Sequence, residues 1–159
     1  MKTISVQTGG KLYIAGEYAI LTPGQTAILK NIPIPMTAIV KEAEKISLFS
    51  DMFDYATDMT ADKNYALIQQ TIVTLATYLD KSLHDLPAFK LDITGKLERD
   101  GKKFGIGSSG SVTVLTLKAL SAFYELKLSA DTIFKLASYT LLKLGDNGSM
   151  GGHSLYCLR

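Results

Sequence analysis

The sequence predicts an α+β domain in which helices stack on one face of a mostly antiparallel sheet. Three observations predict it. The first fifty residues are rich in β-branched and aromatic side chains broken by Gly and Pro. From Asn64 the apolar positions switch to helical spacing, and after residue 98 a glycine-serine loop leads into two more helical stretches.

The elements follow in order. "TISVQT" (3–8) and "KLYIAGEYAIL" (11–21) read as two strands joined by a turn at Gly9-Gly10, and "TPGQ" (22–25) as a second turn. "TAILK" and "PIPMTAIVKEA" read as further strands, with Pro33 and Pro35 at a strand start or sheet edge, and "KISLFS" (45–50) as another. Tyr65, Ile68, Ile72, Leu75 and Leu79 form the stripe of an amphipathic helix. "PAFKLDITGKLE" (87–98) alternates and returns to the sheet. From Ser111 to Tyr124 apolar residues occur on every side with Lys118 the only charge, which predicts a central, covered helix. A third helix over 130–144 follows an N-cap at Ser129.

Composition bounds the function. At 159 residues, 47% hydrophobic and 20% charged, the chain suits one folded domain and not a disordered segment. A net charge of +2 is too small to suggest nucleic acid or an anionic membrane as partner, and the densest basic group, Arg99 with Lys102 and Lys103, is local. The single cysteine, Cys157, makes no intrachain disulfide framework, and His84 and His153 offer no zinc spacing. With no apolar signal core and no membrane-spanning run, a cytoplasmic location is expected.

The chemistry concentrates in "KFGIGSSGSVTVLTLKAL" (103–120). A glycine-rich loop entering a helix leaves backbone N–H groups free at the positive end of the helix dipole, a combination that suits a phosphate. The plain alternative is a solvent-exposed connector. The P-loop pattern fails because no lysine precedes Ser111. Gly105, Gly107 and Gly110 satisfy G-x-G-x-x-G, but the preceding "KLERDGKK" is no buried strand, and Glu125 lies where no second parallel strand has formed.

Together "KLYIAGEYAIL", "KKFGIGSSGSVTVLTLKAL" and "LKLGDNGSMG" resemble three motifs of the GHMP kinase superfamily, and within it the bacterial phosphomevalonate kinase family, over residues 5–151. The resemblance implies a ribosomal protein S5 domain 2-like fold in residues 1–151 serving as the ATP-binding N-terminal domain. It also implies ATP and Mg²⁺ as cofactors and phosphoryl transfer to mevalonate 5-phosphate. Such transfer asks chiefly for positioning and charge neutralisation between two anions. By resemblance Lys11 and Lys103 are the catalytic lysines. Gly105, Gly107, Ser108, Ser109, Gly110 and Ser111 form the phosphate loop, with Ser109 toward Mg²⁺. Tyr18, Asn147 and Ser149 face the phosphomevalonate, and Gly148 shapes that turn.

The sequence departs from the family after "NGSMG": Gly152 stands where an aspartate is expected, and "GHSLYCLR" follows. Residues 152–159 are therefore expected to be an aberrant tail from a frameshift or truncated reading, with the C-terminal GHMP domain absent and kinase activity of this chain weak or lost. The alternatives are another GHMP enzyme, such as mevalonate kinase or diphosphomevalonate decarboxylase, and a nucleotide-binding module without turnover. RNA binding is disfavoured by the missing aromatic-basic stripe.

Overall fold

A computed structural model of the protein describes residues 2–95, 98–99, 102–103 and 108–145. The element order is β1 (Thr3–Ala15), β2 (Ile28–Glu42), β3 (Ser47–Ser50), β4 (Ala56–Thr57), α1 (Ala66–Tyr78), β5 (Phe89–Thr94), β6 (Glu98–Arg99), β7 (Lys102–Lys103), α2 (Ser108–Phe123) and α3 (Ala130–Lys143). Among the described residues the main sheet has five strands in the order β1-β2-β5-β3-β4, antiparallel except for the β3–β5 pair. β6 and β7 form a separate small hairpin.

Alternation decides the sheet's inner face. Met36, Ala38 and Val40 of β2, Leu48 of β3, and Phe89, Leu91 and Ile93 of β5 are all buried, while their sequence neighbours Lys41 and Lys90 are exposed. α2 lies against β1 and β2, and α1 and α3 pack on α2 and on each other. α2 accordingly is buried on nearly every side, with Val114, Leu115, Leu117 and Ala119 fully covered. A pair of hydroxyls joins the two flanking helices inside this layer: Thr140 Oγ1 and Thr74 Oγ1 are 3.0 Å apart. Thr140 Oγ1 also donates to the Leu136 carbonyl, so the hydroxyl is not an unmet polar group in the core.

Helix ends follow local chemistry. Ser129 caps α3, its Oγ accepting from the Thr132 N–H at 3.1 Å. At the other end of α2, Lys2 Nζ donates to the Phe123 carbonyl and to Glu125 Oε1, both at 2.7 Å, so a cation meets the negative end of the helix dipole. Ahead of α1, Gln69 holds the incoming loop by donating to the carbonyls of Asp58 and Thr60 and accepting from the Asp62 N–H. Among the described residues no helix is long and apolar enough to cross a membrane.

The structure differs from the sequence reading at Gly9-Gly10. The chain does not turn there; β1 runs through, with a register shift against β2 between Thr8 and Gly10. Glycine is needed for close approach rather than reversal. A Cβ at Gly9 would stand 2.7 Å from both Asn31 Oδ1 and the Ile32 carbonyl oxygen. The reversal comes later, at Gly16 (φ +81°), where the Ile20 N–H bonds the Gly16 carbonyl and a 3₁₀ turn over Ala19–Leu21 replaces the end of the expected second strand.

β2 likewise runs as one strand through Pro33 and Pro35. Those prolines stand in the bulged stretch between the Gly10–Ile32 and Thr8–Met36 pairs, and β5 begins its pairing only at Thr37. On that side no ladder donor is missed. The distal halves of β1 and β2 therefore form a two-stranded ribbon reaching beyond the body of the sheet.

Candidate functional site

The ribbon and the amino end of α2 meet at Gly9. Ser111, fully buried, donates its hydroxyl to the Gly9 carbonyl at 2.8 Å and so fastens the first turn of α2 to β1. Ser108, Ser109, Gly110 and Ser111 form that first turn, so the serine-rich stretch is helix from Ser108 onward. The amide groups of a helix's opening turn have no partners within the helix, and the dipole makes this end attractive to anions. Ser108 and Ser109 are half-buried there, and the Ser109 carbonyl accepts from Thr113 Oγ1 as the turn closes.

Lys11 follows two residues after Gly9 on β1, opposite Asn31 of β2. Its Nζ lies 4.2 Å from the centroid of the Tyr13 ring. On the same ribbon three buried oxygen atoms find no hydrogen-bond partner among the described residues: Thr8 Oγ1, Tyr13 Oη and Asn31 Oδ1. Buried polar atoms are rarely left so, and these three belong to the one ribbon that meets the amino end of α2. The Tyr13 phenol is pushed above its ordinary pKa by burial and by the negative charge of Glu17.

The remaining residues singled out from the sequence are distributed as follows. Lys103 sits in β7, paired through its backbone with Glu98, a few residues ahead of α2. Tyr18 is 78% exposed on the 3₁₀ turn beyond β1 and is no core aromatic. Gly105, Gly107, Asn147, Gly148 and Ser149, and the tail from Gly152 with His153 and Cys157, lie outside the described residues. His84 is exposed on the 3₁₀ turn Leu83–Asp85, in a wall of an open groove of about 620 Å³ with Glu44, Lys45, Asp58 and Thr60. Sequence reasoning passed over Thr8, Tyr13 and Asn31. The spacing from Lys11 to Tyr13 was a usable signal, since residues two apart on a strand share a side. Asn31 was not recoverable, because its place opposite Lys11 depends on the bulge.

A nucleotide's phosphates suit what is present: backbone donors at a helix start, serine hydroxyls and one lysine. Serine oxygen is a hard donor suited to Mg²⁺, and Ser109 stands in that opening turn.

Comparison with known proteins agrees with this geometry. The model of the GHMP kinases N terminal domain matches residues 66–152. A phosphomevalonate kinase of Streptomyces sp. (strain CL190) is 33% identical over 172 residues, covering 94% of this chain and 46% of the relative. A mevalonate kinase of Methanocaldococcus jannaschii is 26% identical over 141 residues, covering 82% and 44%. Among solved structures, Streptococcus pneumoniae phosphomevalonate kinase in complex with phosphomevalonate and AMPPNP superposes with a TM-score of 0.92 at 51% identity, over 98% of this chain and 47% of that one. The chain spans about half the length of the curated relatives it matches.

Proposed function

The chain belongs to the GHMP kinases through their N-terminal domain, and from that premise we propose that it serves the ATP-dependent phosphorylation of mevalonate 5-phosphate to mevalonate 5-diphosphate. The observation that carries the reading is the junction at Gly9, where Ser111 fastens the amino end of α2 to the strand bearing Lys11. Higher identity to phosphomevalonate kinases than to the mevalonate kinase supports the choice of acceptor.

In this reading an oxygen of the acceptor phosphate attacks the γ-phosphorus of ATP, the bond from that phosphorus to the bridging oxygen breaks, and ADP leaves with the bond's electron pair. No proton need be removed from a phosphate dianion, so the residues have charge to manage rather than a nucleophile to activate. The opening turn of α2, with Gly105, Gly107, Ser108, Ser109 and Gly110, cradles the nucleotide phosphates. Ser111 acts from behind as the anchor of that turn. Lys11 and Lys103 offset the repulsion between donor and acceptor. Tyr18, Asn147 and Ser149 orient the acceptor. Ser109 would help to hold Mg²⁺, which would supply charge neutralisation to the phosphates.

Isothermal titration with Mg-AMPPNP, followed by mevalonate 5-phosphate or by mevalonate, tests the reading. Saturable nucleotide binding followed by preference for the phosphorylated acceptor is expected. Preference for mevalonate would move the reading to a mevalonate kinase, and absence of nucleotide binding would defeat it.

A further inference from the structure

We propose that Tyr13 is a positioning residue for Lys11, its ring face holding the lysine's ammonium group where the transferring phosphate passes. The proposal rests on the role given to Lys11 above and extends it to a residue of the same motif to which the resemblance assigned no role.

Lys11 and Tyr13 lie two apart on β1 and point to the same side. The 4.2 Å between Nζ and the ring centroid is well inside the range of a cation–π contact. A free lysine side chain samples many rotamers, and ordering it at the moment of binding weakens the bound state. A ring that already holds the ammonium removes part of that loss.

The ring itself is fixed. Its backbone pairs with Leu29 across the ribbon, and its hydroxyl is buried. That hydroxyl makes no hydrogen bond, so ring and hydroxyl are separable: phenylalanine retains the face and loses only an unmet polar atom.

The test uses the full chain with lysine ε-carbons isotopically labelled, the Lys11 signal being identified by its loss in Lys11→Met. Its Hε resonance should be shifted upfield by the ring current in the wild type and in Tyr13→Phe, and should return to the ordinary lysine position in Tyr13→Leu. Titrated with Mg-AMPPNP and mevalonate 5-phosphate, Tyr13→Phe should bind like the wild type, whereas Tyr13→Leu should bind roughly 2- to 30-fold more weakly. Phenylalanines with one to three ring fluorines at position 13 keep the shape while draining the ring face, and should weaken binding stepwise even if Tyr13→Leu does not fold. Unchanged binding across the fluorinated series, or equal losses in Tyr13→Phe and Tyr13→Leu, would overturn the proposal. If Lys11→Met weakens binding and the fluorinated series does not, only the role of Tyr13 falls. If Lys11→Met itself binds like the wild type, the role of Lys11 falls first and this one with it.

Discussion

Replacing Ser111 by alanine removes the hydroxyl that joins α2 to β1 and separates two roles that the sequence alone runs together. In the folded protein Ser111 is fully buried and its Oγ is 2.8 Å from the Gly9 carbonyl oxygen. Losing such a bond costs about 1 kcal/mol net, and a carbonyl left without its partner in a buried setting raises this to roughly 1–3 kcal/mol. Alanine's better helix propensity returns about 0.5 kcal/mol, leaving about 0.5–2.5 kcal/mol of destabilisation. For a domain of this size that corresponds to a fall in Tm of roughly 1–10 °C. Thermal unfolding followed by circular dichroism measures it, with Ser108→Ala and Ser109→Ala as comparisons. Those two should leave Tm nearly unchanged, because both side chains are half-buried at the mouth of the helix, and should instead weaken Mg-AMPPNP binding. A Ser111→Ala protein with unchanged Tm and lost nucleotide affinity would rule out the anchoring role and return Ser111 to direct phosphate contact.

Two further outcomes follow from other contacts. Gly9→Ala places a methyl group 2.7 Å from the Ile32 carbonyl oxygen, which is backbone and cannot swing aside, so it should destabilise the protein by about 2 kcal/mol or more, read as a lowered urea midpoint. The hydrogen bond and charge of Lys2 hold the Glu125 carboxyl below its ordinary pKa of 4.5. A carboxyl depressed in the folded state contributes stability that is present above pH 4.5 and lost as pH falls through the lower folded value. The difference in urea midpoint between wild type and Glu125→Gln should therefore be constant near neutrality and shrink below about pH 4.5; a gap that persists at pH 2 would contradict this assignment.

The parts of the fold legible in the sequence were those fixed by local chemistry. Ser129 announced the start of α3 because a cap acts within three residues, and the near-absence of charge from Ser111 to Phe123 announced a covered α2. Gly9-Gly10 misled because glycine serves both reversal and close approach, and only the opposing Asn31 and Ile32 decide between them. The parallel β3–β5 pair was hidden for a related reason: a parallel partner is reached through a crossover, here the stretch containing α1, and leaves no adjacent turn signal. At the site, Lys11 and the serines of α2 could be marked by motif. The anchoring role of Ser111 required the docking of α2 on β1, which joins residues about a hundred positions apart, and the place of Asn31 opposite Lys11 required the bulge in the ribbon.

The most direct test of the account is to map Mg-AMPPNP on the isotopically labelled protein by amide chemical-shift perturbation. The largest changes are expected at Gly9 to Lys11 and at Ser108 to Ser111, on the two sides of the junction. Changes confined to the groove lined by Glu44, Lys45 and His84, or no saturable change anywhere, would contradict it.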